Sequence, residues 1–351
     1  MSVAICTWNR ADLLDKTLRR MASMRVPESV SWELIVVDNN CTDHTQQVLQ
    51  RHVGALPLRI VTESQPGLSY ARNRAIEVSQ AEIILWTDDD VLVDEHWLTE
   101  TLAAMRGLDA EVCFGSVHPW WETAAPPWFG DCLAGRFALY DRGRGAHLLS
   151  EAGQSGYGAN HAVARSVYQR LGGYRTDLGV VGDKGGGGED TELVMRAIAA
   201  GVRTAYAGSA SVRHFIPAER CRKRYFRRRQ WRGGSSQYRM LTQAGGGRRT
   251  ILGLPAYMYR QHTREMVAWL FSNIRADRAR AFQAELKLIS FASLLRTAVF
   301  ARYDTCTGKR GKQNPATDVN YQSPETLSEG PGDLKSVSHI RPLSASDARR
   351  G

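Results

Sequence analysis

Over the first ninety residues, short apolar runs alternate with segments of helical spacing. Val3–Cys6, Glu33–Val37, Leu58–Thr62 and Glu82–Trp86 are brief and rich in β-branched residues, as buried strands are. Between them Leu14, Leu18 and Met21 fall on one helical face, and Thr45–His52 and Leu68–Val78 carry the same rhythm. This order predicts an α/β fold with a mostly parallel sheet and flanking helices. Such sheets bind ligands beyond the carboxyl ends of their strands, so the polar residues there carry the functional information.

Further along, the alternation lapses. Trp120 to Gly145 is rich in Trp, Pro and Gly and reads as a long loop region beside a site, and Ser155 to Gly188 is Gly-rich. A strand is expected over Ala205–Arg213, with His214 at its end, and then a mainly helical part from about Glu219 to Tyr303. Beyond Gly308 the chain is Pro, Ser, Gly and charge with few large apolar residues, the composition of a disordered tail. The expected division is therefore 1–218 as the α/β domain, 219–307 as a basic helical segment that completes the site or contacts a membrane, and 308–351 as the tail.

Charge sharpens this picture. The 351 residues carry a formal net charge of +10, driven by Arg and unevenly spread. Anionic partners follow: nucleotide phosphates, nucleic acid or an acidic membrane surface. The six cysteines are scattered without a C-x-x-C pair, which argues against a zinc site or disulfide framework and for reduced thiols in the cytosol. A strand-like run starting at Val3 leaves no signal peptide, and the longest apolar stretch, Leu288 to Ala301, is broken by Arg296 and falls short of the ~20 residues of a spanning helix. A cytoplasmic protein is expected, peripheral at most on the inner face of the membrane.

Three constellations carry chemistry. Asp88-Asp89-Asp90 follows the buried run Ile83–Trp86, and carboxylates crowded at a strand end repel unless a cation neutralises them. Mn²⁺ or Mg²⁺ would do so and keep places for substrate phosphates. The plainer alternative is a solvated acidic turn that caps a helix near Glu95. The run Gly185–Gly188 leads into Glu189-Asp190 at the start of a helix, where an anion is stabilised. Those acids are either an N-cap behind a linker or a general base on a loop that closes over substrate. The segment Arg220–Arg232 interleaves Arg and Lys with Tyr225, Phe226 and Trp231. It reads as a solvated helix face or as guanidiniums for diphosphate oxygens.

In order along the chain, Cys6-Thr7-Trp8-Asn9-Arg10, Val36-Val37-Asp38-Asn39-Asn40, Gly67–Asn73, Thr87–Val91, Gly158-Ala159-Asn160, Leu171-Gly172-Gly173-Tyr174, Gly188–Leu193, and His214 with the Arg run to Gly233 resemble the family 2 glycosyltransferases, inverting enzymes of the GT-A fold. The resemblance spans about Val3 to Ser236 and implies that 1–218 is a nucleotide-sugar-binding catalytic domain. Trp8 stands where Tyr or Phe is more usual, and the glycine run before Glu189 is long. The resemblance implies Asp190 as catalytic base, with Glu189 the other candidate. Thr7, Arg10, Asp38, Arg72, Asp88, Asp89, Arg229 and Arg232 would bind the nucleotide sugar, with Arg229 and Arg232 facing the diphosphate, and Asp90 would ligate the metal with His214. The implied partners are a nucleotide diphosphate sugar, a UDP-sugar favoured, and a glycan or lipid-linked acceptor.

Two other readings compete. A nucleic-acid-binding protein would use the Arg-rich segment but leaves the acidic and Gly-rich motifs unexplained. A sugar nucleotidyltransferase would carry a Gly-rich phosphate loop after the first strand, where this chain has Thr7-Trp8-Asn9-Arg10.

Overall fold

The computed structural model describes residues 1–150, 155–182, 187–243 and 250–307, all within one compact unit, Met1–Arg310. The expected tail at 308–351, like Gly185 and Gly186 of the glycine run, lies outside the described residues. The chain opens with β1 (Ser2–Thr7), α1 (Ala11–Met21), β2 (Glu33–Asp38), α2 (Thr45–His52), β3 (Leu58–Thr62), α3 (Leu68–Val78) and β4 (Ile83–Asp88). Next come β5 (Val91–Val93), α4 (Trp97–Gly107), β6 (Val112–Trp121), a 3-10 helix (Asp131–Phe137), β7 (Ala146–Leu149), β8 (Asn160–Ala164), α5 (Arg165–Leu171), α6 (Glu189–Ala199) and β9 (Thr204–Ile216).

These strands form one sheet in the order β3-β2-β1-β4-β8-β6-β9-β5, with β7 beside β9. The first four are parallel, as the alternating pattern predicts. Past β4 the sheet becomes mixed: β8 runs antiparallel to β4 and β6, while β6 and β9 are parallel. Both faces of the parallel half are covered. Val3, Ile5, Leu34 and Val36 pack on one side with Leu14, Leu18 and Trp97. Ala4, Ile35, Val37 and Trp86 pack on the other with Val163 and Tyr174. Alternate residues of one strand thus serve two cores, which is why these runs are apolar throughout.

The expected loop region from Trp120 to Gly145 is more ordered than its composition suggests. Its first two residues end β6, and its middle is the 3-10 helix. After β9 come α7 (Lys223–Arg232), α8 (Gly234–Gln243), a two-stranded hairpin of β10 (Thr250–Ile251) and β11 (Leu254–Pro255), α9 (Ala256–Ile274) and α10 (Arg278–Thr307), and the 3-10 helix is held by packing with α7 and α10. Phe137 meets Phe226 at 4.7 Å between ring centroids, and Trp128 meets Phe282 at 4.8 Å. Leu133, Ile216 and Leu286 complete this cluster. No helix among the described residues is long and apolar enough to cross a membrane.

Phe226 is buried at the centre of that cluster. Phe226→Ala should therefore lower unfolding stability by about 3–5 kcal/mol, the usual cost of removing a buried aromatic ring. Urea unfolding checks this, and a loss below about 1 kcal/mol would mean that α7 contributes little to the unit.

Candidate active site

The site lies at the carboxyl edge of the parallel strands. Just past β1 and β2, Asn9 (φ 52°) and Asn40 (φ 65°) take the left-handed backbone that Asn tolerates, and the chain turns there. The Thr7 hydroxyl donates to Asp89 Oδ2 at 2.8 Å. Arg10 Nη1 reaches Asp89 Oδ1 at 3.1 Å and Asp90 Oδ2 at 2.7 Å. Thr17 donates to the Asp89 carbonyl at 3.0 Å, so β1 and α1 together clamp the acidic turn. Asp38 is buried, and both its oxygens are engaged locally, by the Cys41 N–H at 2.8 Å and the Gln46 side-chain amide at 2.5 Å.

β4 ends at Asp88, and the chain turns through Asp89 and Asp90 before β5. Asp89 and Asp90 are only 4% and 3% exposed, which rules out a solvated acidic turn. Nor do these acids cap the next helix, since α4 begins at Trp97 with no side-chain cap. His214 does not end its strand, as the sequence suggests. β9 continues to Ile216, because Phe215 and Ile216 pair with Trp120 and Trp121 of β6. Within β9, His214 lies opposite Val91, and the Phe215 N–H donates to the Asp90 carbonyl at 2.9 Å. This register brings one side-chain ligand atom each from Asp88, Asp90 and His214 within 4.8 Å of one another.

Asp90 Oδ1 lies 3.4 Å from His214 Nε2, and neither Asp90 Oδ1 nor His214 Nδ1, both buried, has a hydrogen-bond partner. Leaving buried polar atoms unsatisfied costs about 1–3 kcal/mol each. A divalent cation held between Asp90 Oδ1 and the His214 nitrogen that faces it would relieve the cost at the carboxylate, so these residues fit one. Burial raises the Asp88 carboxyl pKa, and Asp90 adds to the rise. Burial pushes Asp89 up to about 7 against the opposing charge of Arg10. Asp88 remains part-exposed and forms the open side of the cluster.

Arg72, projecting from α3, links this cluster to α6. It is 3% exposed. Its Nη1 donates to Glu189 Oε1 at 2.8 Å, its Nη2 lies 3.9 Å from Asp88, and its guanidinium sits 5.1 Å from the centre of the Tyr174 ring. Glu189 is likewise buried, with Oε2 unpartnered, and burial raises its pKa despite Arg72. Gly188, at φ 89°, takes the left-handed N-cap position that turns the chain into α6. Asp190 is more open than Glu189 and accepts from the Gly158 N–H at 2.9 Å and the Thr191 N–H at 2.8 Å. A Cβ at Gly158 would come within 2.5 Å of Arg72 and 3.2 Å of Asp190, so only glycine lets the backbone pass between them.

The structure thus gathers Thr7, Arg10, Arg72, Asp88, Asp89, Asp90, Glu189, Asp190 and His214 along one edge. Asp38 lies at the end of the adjoining strand. Arg229 and Arg232 are exposed on α7, and among the described residues no hydrogen bond or ion pair joins them to this edge. Some of the Arg run is structural: Arg227 pairs with Glu285 at 2.5 Å. Sequence reasoning did not single out Arg136, on the 3-10 helix, whose pKa is lowered by burial and then by nearby Arg229. It also missed His161, which stacks between Trp86 and Phe114. Its ring nitrogens meet the Gly158 carbonyl and the Tyr174 hydroxyl, each at 2.9 Å. Neither residue has a local sequence signal, because both depend on packing between distant segments. Cys6, Cys41, Cys113, Cys132 and Cys221 are free, and burial pushes Cys6, beside the site, up to about 12.

Burial, with Arg72 nearby, lowers His161 from the ordinary 6.5 to about 3. Its folded-state pKa lies below its unfolded one, so its contribution to stability is full above the unfolded value and is lost as pH falls toward 3. Ring resonances of His161 should show no titration between pH 5 and 8 by NMR. A midpoint near 6.5 would mean the imidazole is solvated.

The family description "Glycosyl transferase family 2" matches residues 2–172, a span that ends before α6, His214 and the Arg-rich helix. The succinoglycan biosynthesis protein ExoM of Rhizobium meliloti is 27% identical over 254 residues, covering 71% of this chain and 77% of that protein. The glucosyl-dolichyl phosphate glucuronosyltransferase of Haloferax volcanii is 27% identical over 222 residues, 61% of this chain and 68% of its own. Among solved structures, the mannosyltransferase PcManGT from Pyrobaculum calidifontis, in complex with GDP-Man and Mn²⁺, superposes with a TM-score of 0.50 at 18% identity, covering 88% of this chain and 75% of that one. The parallel half-sheet with its strand-end motifs falls wholly inside the matched span, and residues 2–172 are a glycosyl transferase family 2 domain on the GT-A fold.

Proposed function

We propose that the protein is an inverting, metal-dependent glycosyltransferase. It moves a sugar from a nucleotide diphosphate sugar, a UDP-sugar in preference, to an acceptor hydroxyl. The product would be a polysaccharide, glycolipid or other cell-envelope glycan, made on the cytoplasmic side. The observation that carries this reading is the separation of carboxylates into two groups with Arg72 between them: Asp88 to Asp90 on one side, Glu189 and Asp190 on the other. Relatives named for succinoglycan biosynthesis and for glucuronosyl transfer to glucosyl-dolichyl phosphate support the glycan and lipid-linked acceptor classes. The mannosyltransferase of the same fold binds GDP-Man with Mn²⁺, which supports a nucleotide-sugar donor.

In this reading Thr7, Arg10 and Asp38 border the nucleotide, with Asp38 accepting from the base once Gln46 gives way. Asp90 and His214, with Asp88 beside them, would hold Mn²⁺ or Mg²⁺, whose charge offsets the negative charge that builds on the departing diphosphate. Asp88 and Asp89 shape the donor end, Asp89 by fixing Arg10 and Thr7. Arg229 and Arg232 approach the diphosphate from α7 and supply paired donors to its oxygens. Glu189 is buried against Arg72, whereas Asp190 is open to an incoming acceptor, so Asp190 acts as the base. The acceptor oxygen attacks the anomeric carbon, its proton passes to the Asp190 carboxylate, and the bond from that carbon to the diphosphate oxygen breaks. Attack from the side opposite the leaving group inverts the anomeric centre.

A panel of nucleotide sugars with Mn²⁺, read by nucleotide release and thermal shift, tests the class of reaction. One or more should be hydrolysed slowly and raise the melting temperature, and excess chelator should abolish turnover. A protein indifferent to every nucleotide sugar would contradict the proposal. Asp190→Asn should leave donor affinity within a few-fold while lowering kcat by about 10²-fold or more, since general bases typically contribute 10²–10⁴. Near-normal turnover would move the role to another residue.

A further inference from the structure

Helix α9 presents its apolar residues in an unusual way. Its inner side packs on α10: the Tyr259 and His262 rings meet Phe291, His262 stacking at 4.0 Å, and Glu265 pairs with Lys287 at 2.7 Å. None of its residues is buried. The side turned away carries Val267, Phe271 and Ile274, 44%, 57% and 79% exposed, with Leu270 at its margin 50% exposed. Arg260, Arg264, Val267, Phe271 and Ile274 follow one another at four- and three-residue steps and so form one stripe, with Leu270 at its edge. Soluble surfaces rarely gather so many large apolar side chains in one place without a partner.

The charge on that face indicates the partner. Arg260 and Arg264 flank the apolar stripe at one end, and Arg275 and Arg278 lie just past the other. None of the four has an ion pair among the described residues, and the one acid of α9, Glu265, points to Lys287 on the inner side. The outward face of α9 therefore combines guanidiniums without ion pairs with exposed Leu and Phe, and the nearest carboxylate past its end, Asp277, pairs with Arg280 at 3.4 Å. An anionic lipid surface suits both features, because guanidiniums pair with lipid phosphates while apolar side chains enter the headgroup boundary.

We propose that the outer face of α9 docks the protein on an anionic lipid bilayer, lying in the interface without crossing it. This extends the glycosyltransferase reading to a lipid-linked acceptor presented at that surface, but docking itself needs no transfer reaction. Binding can therefore fail or succeed independently of the catalytic proposal.

Co-sedimentation of the full chain with vesicles tests it, using phosphatidylcholine alone or phosphatidylcholine with 30–40% phosphatidylglycerol, a ratio set at roughly the anionic content that gives a strong surface potential. The protein should pellet with the anionic vesicles at low salt, leave them as salt rises, and ignore the neutral ones. Each basic residue at such a surface strengthens partitioning by roughly fivefold, so Arg260→Ala with Arg264→Ala should weaken it by about 25-fold. Leu270→Glu with Phe271→Glu should abolish pelleting while leaving the melting temperature unchanged, since neither side chain is buried. Protein that stays in the supernatant with anionic vesicles at low salt overturns the proposal. So does pelleting that survives the Leu270→Glu, Phe271→Glu substitution. A dimer in vesicle-free solution that the same pair of substitutions dissociates would also overturn it, by showing that a second copy covers the face.

Discussion

A guanidinium buried at the edge of the sheet has to be answered by carboxylates, and Arg72 sets that requirement here. Glu189 comes from a helix 117 residues further along the chain to meet it. Asp88 lies on its other side, and the Trp86 and Tyr174 rings flank it. Removing one partner of such a pair typically costs about 3–5 kcal/mol, because the remaining charge is left buried alone. Arg72 therefore fixes the start of α6 against the end of β4. The same contact holds Gly158 between them, and through Gly158 it orients Asp190.

The acidic turn solves a related problem. Three consecutive carboxylates crowd the end of β4, and burial makes ionising Asp88 and Asp89 harder. Arg10 and Thr7 neutralise and hydrogen-bond Asp89, and Arg10 takes one oxygen of Asp90. The other Asp90 oxygen and an imidazole nitrogen of His214 remain without hydrogen bonds. Partial compensation of this kind is costly in a plain scaffold but useful where charge arrives with a ligand. The two groups of acids thus differ in environment, one half-neutralised from behind and the other tied to Arg72, and can take different tasks.

The parallel half of the fold was legible because β1, β2 and β4 are buried on both faces, the edge strand Leu58–Thr62 is a short β-branched run, and helices such as Thr45–His52 and Leu68–Val78 repeat with helical spacing. The mixed half was less so. β8 enters antiparallel between β4 and β6 through pairings that no local period records, and the 3-10 helix owes its order to Phe226 and Phe282, far along the chain. At the site, strand-end position flagged Asp88, Asp90 and His214, but only the β5–β9 register explains why they meet. Glu189 and Asp190 could not be separated by sequence physics, because neighbours on a helix N-terminus share their local environment. Burial of one against Arg72 separates them in space.

The central claim is that the cluster at the end of β4 binds a divalent cation together with a nucleotide diphosphate. Electron paramagnetic resonance of Mn²⁺ tests it without needing an acceptor, since bound Mn²⁺ leaves the free-ion signal. The account predicts about one Mn²⁺ withdrawn per chain, held more tightly when UDP or GDP is added, and released in Asp90→Ala. An undiminished free-ion signal with nucleotide present, or equal uptake by Asp90→Ala, would contradict it.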